Sequence, residues 1–234
     1  MAFKDLTLAV KKGEFVSILG PSGCGKSTLL RVLAGLEAPS GGDYSYNDQM
    51  GESSAFSMVF QEHGLFPWMT LERNISFILE NNAEIDRNSV SKISKEYLAI
   101  VGLTDYANFY PHQVSGGMKQ RVSVARSFAN NPAILFMDEP FVFLDFQSRF
   151  LLHELLLKIW YGSNKTVLFV THDIEEAVML SDRIIVLSGQ PGSIIADESV
   201  DIPRPRDLIT TRKSTEFIAK VDKYIQIIRN DIRY

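Results

Sequence analysis

The sequence predicts an α/β fold built on a mostly parallel sheet, with a short antiparallel β element and an inserted α-helical lobe. Three observations predict it. Short apolar runs end abruptly in glycine or polar residues, helical periodicity follows most of them, and residues 62–130 carry helical patterns almost throughout. The runs at 15–19, 58–60, 134–137, 167–170 and 184–187 are apolar on both alternating faces, as strands covered by helices on each side must be. Residues 26–34 form the first expected helix, stopped by Gly35. The stretch 44–46, after Gly41-Gly42, reads as a short antiparallel strand. Within the lobe, Val90, Ile93, Leu98 and Val101 recur at helical spacing before Gly102. A further helix opens at Ser115 and ends at Asn131-Pro132. A leucine-rich helix over 146–160 stops at Gly162, and one over 174–180 takes Asp173 as its N-cap. The tail from 207 to 234 carries Phe217, Ile218, Val221, Tyr224, Ile225 and Ile228 at helical spacing. This amphipathic helix packs on its own domain or offers a face to a partner.

With 234 residues, 45% of them apolar and 22% charged, the chain has the composition of a globular protein and can bury a large core. A net charge of -4 without long runs of either sign argues against nucleic acid as a partner. Cys24 is the single cysteine, which excludes an internal disulfide and, with no signal-like leader, points to a reducing compartment. No apolar run is long enough to span a bilayer, so membrane association is expected only through a partner.

Four candidate strand ends carry chemistry. Gly20-Pro21-Ser22-Gly23-Cys24-Gly25-Lys26-Ser27-Thr28 fits the phosphate-loop pattern GxxxxGK[ST] at every required position, between a strand and a helix. Its glycines let successive N-H groups converge on phosphates at the positive end of the helix, Lys26 reaches the β and γ phosphates, and the Ser27 hydroxyl serves Mg²⁺. At the end of the run 134–137 stand Asp138 and Glu139. Adjacent strand residues point to opposite faces, so the two divide the work: Asp138 toward Mg²⁺ through water, Glu139 as general base or positioner of the attacking water. His172 follows 167–170 and is placed to bond the γ phosphate or the water, and Gln61 follows 58–60 and is placed to complete the Mg²⁺ shell or sense the phosphate. A second glycine-rich helix start, Val114-Ser115-Gly116-Gly117-Met118-Lys119-Gln120-Arg121, lies midway between the phosphate loop and the C-terminus and separates this chain from most phosphate-loop enzymes, a P-loop kinase included.

In this order the phosphate loop, Gln61, the Ser115 stretch, Asp138-Glu139, Asp145 and His172 resemble the ATP-binding subunit of an ATP-binding cassette (ABC) transporter, over nearly the whole chain. The resemblance implies one ATP-binding domain over 1–234 with a RecA-like P-loop NTPase sheet. It implies ATP and Mg²⁺ as cofactors, with Lys26, Glu139 and His172 catalytic and Ser27, Gln61 and Asp138 toward the metal. Ser115, Gly116 and Gly117 would be the signature that meets the γ phosphate held by a second subunit, expected to be an identical copy, and Asp145 would lie in the loop linking the two sites. Transmembrane permease subunits, and indirectly a solute-binding protein, are the further partners implied, at the cytoplasmic face of the membrane. Val59-Phe60-Gln61, Leu65-Phe66-Pro67-Trp68, Tyr110-Pro111-His112, Met118 and Ile202-Pro203-Arg204-Pro205-Arg206 are similar to bacterial nitrate, sulfonate and taurine importers. The alternative is a soluble ABC ATPase of DNA repair or ribosomes, which usually carries coiled-coil insertions or tandem cassettes.

Two departures from the family accompany this likeness. The family's opening strand and adenine-stacking aromatic lie upstream of Met1 in register, and Phe3 aligns too late to replace that ring, so weak ATP binding with poor base discrimination is expected. Phe141-Val142-Phe143-Leu144 stands where small residues are usual, and inward packing of Phe143 is expected. Cys24 is either an inert small residue or a thiol whose alkylation blocks nucleotide binding. Phe66, Pro67, Trp68 and Met69 are either core or an apolar patch that docks a permease.

Overall fold

The computed structural model describes residues 2–46, 56–62 and 64–232. These divide into two compact units, each described by itself: residues 1–44, 136–139 and 160–234 form the first, and 45–135 with 140–159 the second.

In the first unit, β1 (Phe15–Leu19) runs parallel to β4 (Thr166–Val170) on one side and β5 (Arg183–Leu187) on the other, with Val16 opposite Leu168 and Arg183. Every residue of β1 and β4 is buried, which explains why both read as largely apolar runs, with Ser17 in β1 and Thr166 at the start of β4 as the polar members. The last residues of β3 (Ile134–Asp138) flank β4, and β6 (Ile194–Ser199) closes the opposite edge antiparallel to β5, giving the order β3-β4-β1-β5-β6 in this unit. Helix α1 (Lys26–Leu33) ends at Gly35 in a left-handed turn (φ 69°) as expected. Helix α6 (Ile174–Leu180) packs on β1 and is capped by the Asp173 carboxylate, which accepts from Glu176 N at 3.1 Å. Helix α7 (Thr215–Ile232) packs on α6. The tail packs on its own unit through Phe217 and Tyr224, which are buried, while Ile218 and Ile225 face outward.

The segment Ile202-Pro203-Arg204-Pro205-Arg206 closes the end of α6. Arg206, 7% exposed, donates to the carbonyls of Val178, Met179, Ser181, Val200 and Ile202 at 2.7–3.3 Å, so carbonyls that the helix end leaves orphaned find partners. Burial, and then the charge of Arg204, lowers the Arg206 pKa to about 10. Arg204 bonds Asp182 at 2.7 Å and lies 4.3 Å over the Trp160 ring.

In the second unit, α2 (Leu71–Glu80), α3 (Val90–Ile100) and α4 (Gly116–Ala129) pack on one another, and α4 also packs on β2 (Phe56–Val59), which lies beside β3. Leu71, Ile75, Leu79, Leu98, Val122 and Phe128 form the center of this lobe, each at most 1% exposed. Residues 140–159 add most of α5 (Phe146–Tyr161) to this unit.

Two expectations are corrected. Residues 44–46 form no strand, because Tyr44 and Ser45 are exposed and no buried face fixes an extended register. The antiparallel element of the sheet is instead β6. Phe143 does not pack inward: it is 69% exposed.

Replacing Arg206 by methionine leaves several buried carbonyls without donors and should cost about 3 kcal/mol in a denaturant titration. Lysine, with three N-H groups in place of five, should cost less.

Candidate nucleotide-binding site

The phosphate loop leaves the end of β1 and turns into α1 through Gly23 and Gly25, whose φ values of 82° and 102° suit glycine. Lys26 is 5% exposed, and its ammonium donates to the carbonyls of Gly20 at 2.7 Å and Pro21 at 2.9 Å, which anchors the side chain along the loop's inner edge. Cys24 is 1% exposed and packs inside the loop, favouring the inert reading of its thiol.

Ser27 Oγ donates to Asp138 Oδ1 at 2.8 Å, which brings together the two groups expected at Mg²⁺. A hydroxyl and a carboxylate are hard oxygen donors, and Mg²⁺ takes few protein ligands while keeping several waters, so this pair fits the ion. Asp138 is 4% exposed, and burial pushes its carboxyl up from the ordinary aspartate value. The Ser27 hydrogen bond opposes that shift and the neighboring Glu139 adds to it. The residues are therefore arranged so that a cation relieves a buried negative charge.

Glu139 sits one residue beyond β3 with a left-handed backbone (φ 43°), its N-H donated to Val170 O at 3.0 Å. That turn aims its carboxylate away from Asp138 and toward His172, whose Nδ1 lies 3.1 Å from Glu139 Oε2. The imidazole is 55% exposed, so Nε2 remains available beyond the pair. Lys26, Ser27, Asp138, Glu139 and His172 thus gather in the first unit.

Gln61 and Ser115-Gly116-Gly117 belong to the second unit. Gln61 is exposed in a bend two residues past β2. Ser115 caps α4, its Oγ accepting from Met118 N at 3.3 Å, and Ser115 and Gly116 are exposed while Gly117 is buried. The unbonded first-turn N-H groups there suit an anion. A Cβ on Gly117 would lie 2.6 Å from Ser148 Oγ and 2.9 Å from Ser148 Cβ. Ser148 in turn donates from N at 3.0 Å and from Oγ at 2.7 Å to the Asp145 carboxylate, so the Asp145 loop and the α4 start are one packed piece. No sequence motif marks Ser148, and its role follows only from the close approach of α5 to α4.

Asn74 carries no sequence signal either, although it is fully buried. Its amide donates to the carbonyls of Phe66 and Met69 at 3.2 Å and Thr70 at 2.9 Å, and its Oδ1 accepts from Phe66 N at 2.7 Å. This clamp resolves the aromatic cluster into two parts. Phe66 packs edge-on against Phe77 at 5.3 Å, while Trp68 is left 70% exposed.

The ABC transporter family model matches residues 3–142. An uncharacterized ABC transporter ATP-binding protein of Methanocaldococcus jannaschii is 43% identical over 99% of this chain and 85% of its own length. The nitrate import ATP-binding protein of Synechocystis sp. is 39% identical over 98% of this chain and 88% of its own, and the aliphatic sulfonates import ATP-binding protein of Bacillus cereus 39% over 95% and 86%. Among solved structures, a dimeric ATP-binding cassette in a post-hydrolysis state bound to ADP and Pi superposes with a TM-score of 0.73 at 33% identity, covering 86% of this chain and 92% of that one. The chain belongs to the ABC transporter family. It has the fold of that family's ATP-binding cassette and is an ATPase.

Since ionized Asp138 is penalized by burial, Asp138→Asn should abolish Mg²⁺-dependent hydrolysis and yet stabilize the ligand-free fold near neutral pH. A carboxyl whose folded pKa is raised opposes folding fully above that pKa and not at all below the unfolded value. The stability gain of the variant, followed by thermal melting, should therefore shrink as pH falls from neutral through the raised pKa and vanish below the ordinary aspartate range.

Proposed function

We propose that the chain is the ATPase subunit of a bacterial importer, pairing with a second copy of itself around two Mg-ATP and driving a membrane permease from the cytoplasmic face as a peripheral subunit. The observation that carries the chemistry is the Glu139–His172 pair, beside the Asp138–Ser27 pair, at the mouth of the phosphate loop. In this reading the loop amides and Lys26 bind the phosphates. Ser27 and Asp138 would hold Mg²⁺, with Gln61 as a further candidate ligand, and the ion would supply neutralization of charge on the phosphate oxygens. Glu139 accepts the proton of the attacking water as its oxygen bonds to the γ phosphorus and the bond to the ADP oxygen breaks. His172 keeps Glu139 and the γ phosphate in register, and Ser115, Gly116 and Gly117 of the opposing copy offer N-H groups to the same phosphate. The dimeric assembly of the solved cassette supports the pairing.

The naming of two relatives as nitrate and sulfonate import proteins supports import, with a nitrate-, sulfonate- or taurine-like anion or a related small organic compound as the solute. No helix among the described residues is long and apolar enough to cross a membrane, in keeping with attachment through a permease. Trp68, 70% exposed, suits that attachment.

Glu139→Gln should retain ATP binding, lose at least a hundredfold in turnover and accumulate an ATP-bound dimer on size-exclusion chromatography. Hydrolysis at the native rate would remove Glu139 from the role of base. Trp68→Ala should leave the melting temperature unchanged, because the ring is mostly in solvent, and reduce solute uptake by cells carrying the permease. Undiminished uptake would place the permease contact elsewhere.

A further inference from the structure

The back of the phosphate loop is braced by a turn far away in sequence. Gln190 Nε2 donates to Gly23 O at 2.7 Å, across 167 positions of the chain. Two residues on, Gly192 lies so close to Cys24 that any Cβ at 192 would overlap the Cys24 carbonyl oxygen. Gly192 also accepts from Lys4 N at 3.3 Å and donates to Ala2 O at 3.0 Å, and Ala2 in turn sits where a Cβ on Gly25 would be, 3.0 Å from its own Cβ. The Gly23 carbonyl is thus held by the 188–193 turn, the Cys24 carbonyl packs closely against Gly192, and Gly25 is backed by Ala2. Within a trans peptide the carbonyl and the following N-H point in opposite directions, so holding the Gly23 carbonyl fixes the plane that carries the Cys24 N-H, which here donates to Pro21 O within the loop at 3.4 Å.

The same turn is tied to the end of α7, where Asp231 Oδ2 accepts from Gly189 N at 3.1 Å. A carboxylate in the last turn of a helix is opposed by the helix dipole, so its placement is better explained by this bond than by the helix.

We propose that the 188–193 turn is a positioning element for the phosphate loop, with Gln190 as the positioning residue that sets the loop's amides for nucleotide phosphates and Asp231 linking that setting to α7. The proposal rests on the assignment of Gly20 to Thr28 as the ATP site. Gln190 touches no phosphate in this arrangement; it acts through the Gly23–Cys24 peptide.

The test compares binding of a fluorescent ATP analogue with Mg²⁺ to the whole chain and to three variants. Gln190→Met puts a methyl where the amide nitrogen stands, and Gln190→Arg puts its Nε-H at the same number of bonds from the backbone. Lys26→Ala serves as the reference for the site. Titrations in 0.5 M salt screen the charge that arginine adds. Gln190→Met should weaken binding about fivefold at an unchanged melting temperature, the loss expected from one hydrogen bond, and Gln190→Arg should recover most of it. Binding by Gln190→Met within 1.5-fold of the native chain (about the scatter of such a titration) while Lys26→Ala fails to bind would overturn the positioning role and leave the site assignment standing. Native binding by Lys26→Ala would overturn both.

Discussion

Strand β1 carries the constraint on which the rest depends. It is buried on both faces and flanked by parallel neighbors on both edges, so each of its backbone groups must find a partner in β4 or β5. Parallel neighbors leave the sheet at the same end, and the first turns after β1, β3 and β4 therefore open on one side. There Lys26, Asp138, Glu139 and His172 come together although 146 positions separate the first from the last. The polar groups at those strand ends are not independently placed; the ladder places them together.

Backbone geometry also arranges the charges at this edge. Two successive acids stand at the end of a buried strand, where alternation already sends their side chains to opposite faces, and Glu139 still pushes the Asp138 carboxyl up. Glu139 also takes a left-handed turn, unusual for a residue with a side chain. Asp138 goes to the Ser27 hydroxyl and Glu139 to the imidazole. The cost of the turn is met locally by the hydrogen bond from Glu139 N to Val170 O, which belongs to the ladder that aligns the strand ends.

The parts of this arrangement that are local in sequence are legible there. The phosphate loop, the acid pair, the capped helix at Ser115 and the strands buried on both faces each leave a pattern within a few residues. Strand β6 is not legible because Ile194–Ser199 is half exposed along its length, and its sequence, three apolar residues followed by Asp197, Glu198 and Ser199, lacks the apolar/polar alternation that marks a half-buried strand. Phe143 departs from its expected place because apolar character does not entail burial, a rule that holds only in one direction. Trp68 shows the same effect, being 70% exposed while its neighbor Phe66 packs on Phe77. Gln190 and Ser148 act through single contacts to distant backbone or glycine and Arg206 through a set of bonds to carbonyls of α6 and its surroundings, and no local pattern encodes such contacts.

The contact between Gly117 and Ser148 has a consequence for how such chains can change over time. The overlap at 117 arises from Ser148 Cβ as well as Oγ, so shortening the serine to alanine would not make room for a side chain on α4. Position 148 can therefore drift among small residues while glycine stands at 117, but 117 cannot move first. The dependence runs in one direction, and it ties the glycine at the start of α4 to a residue on another helix that never appears in its motif.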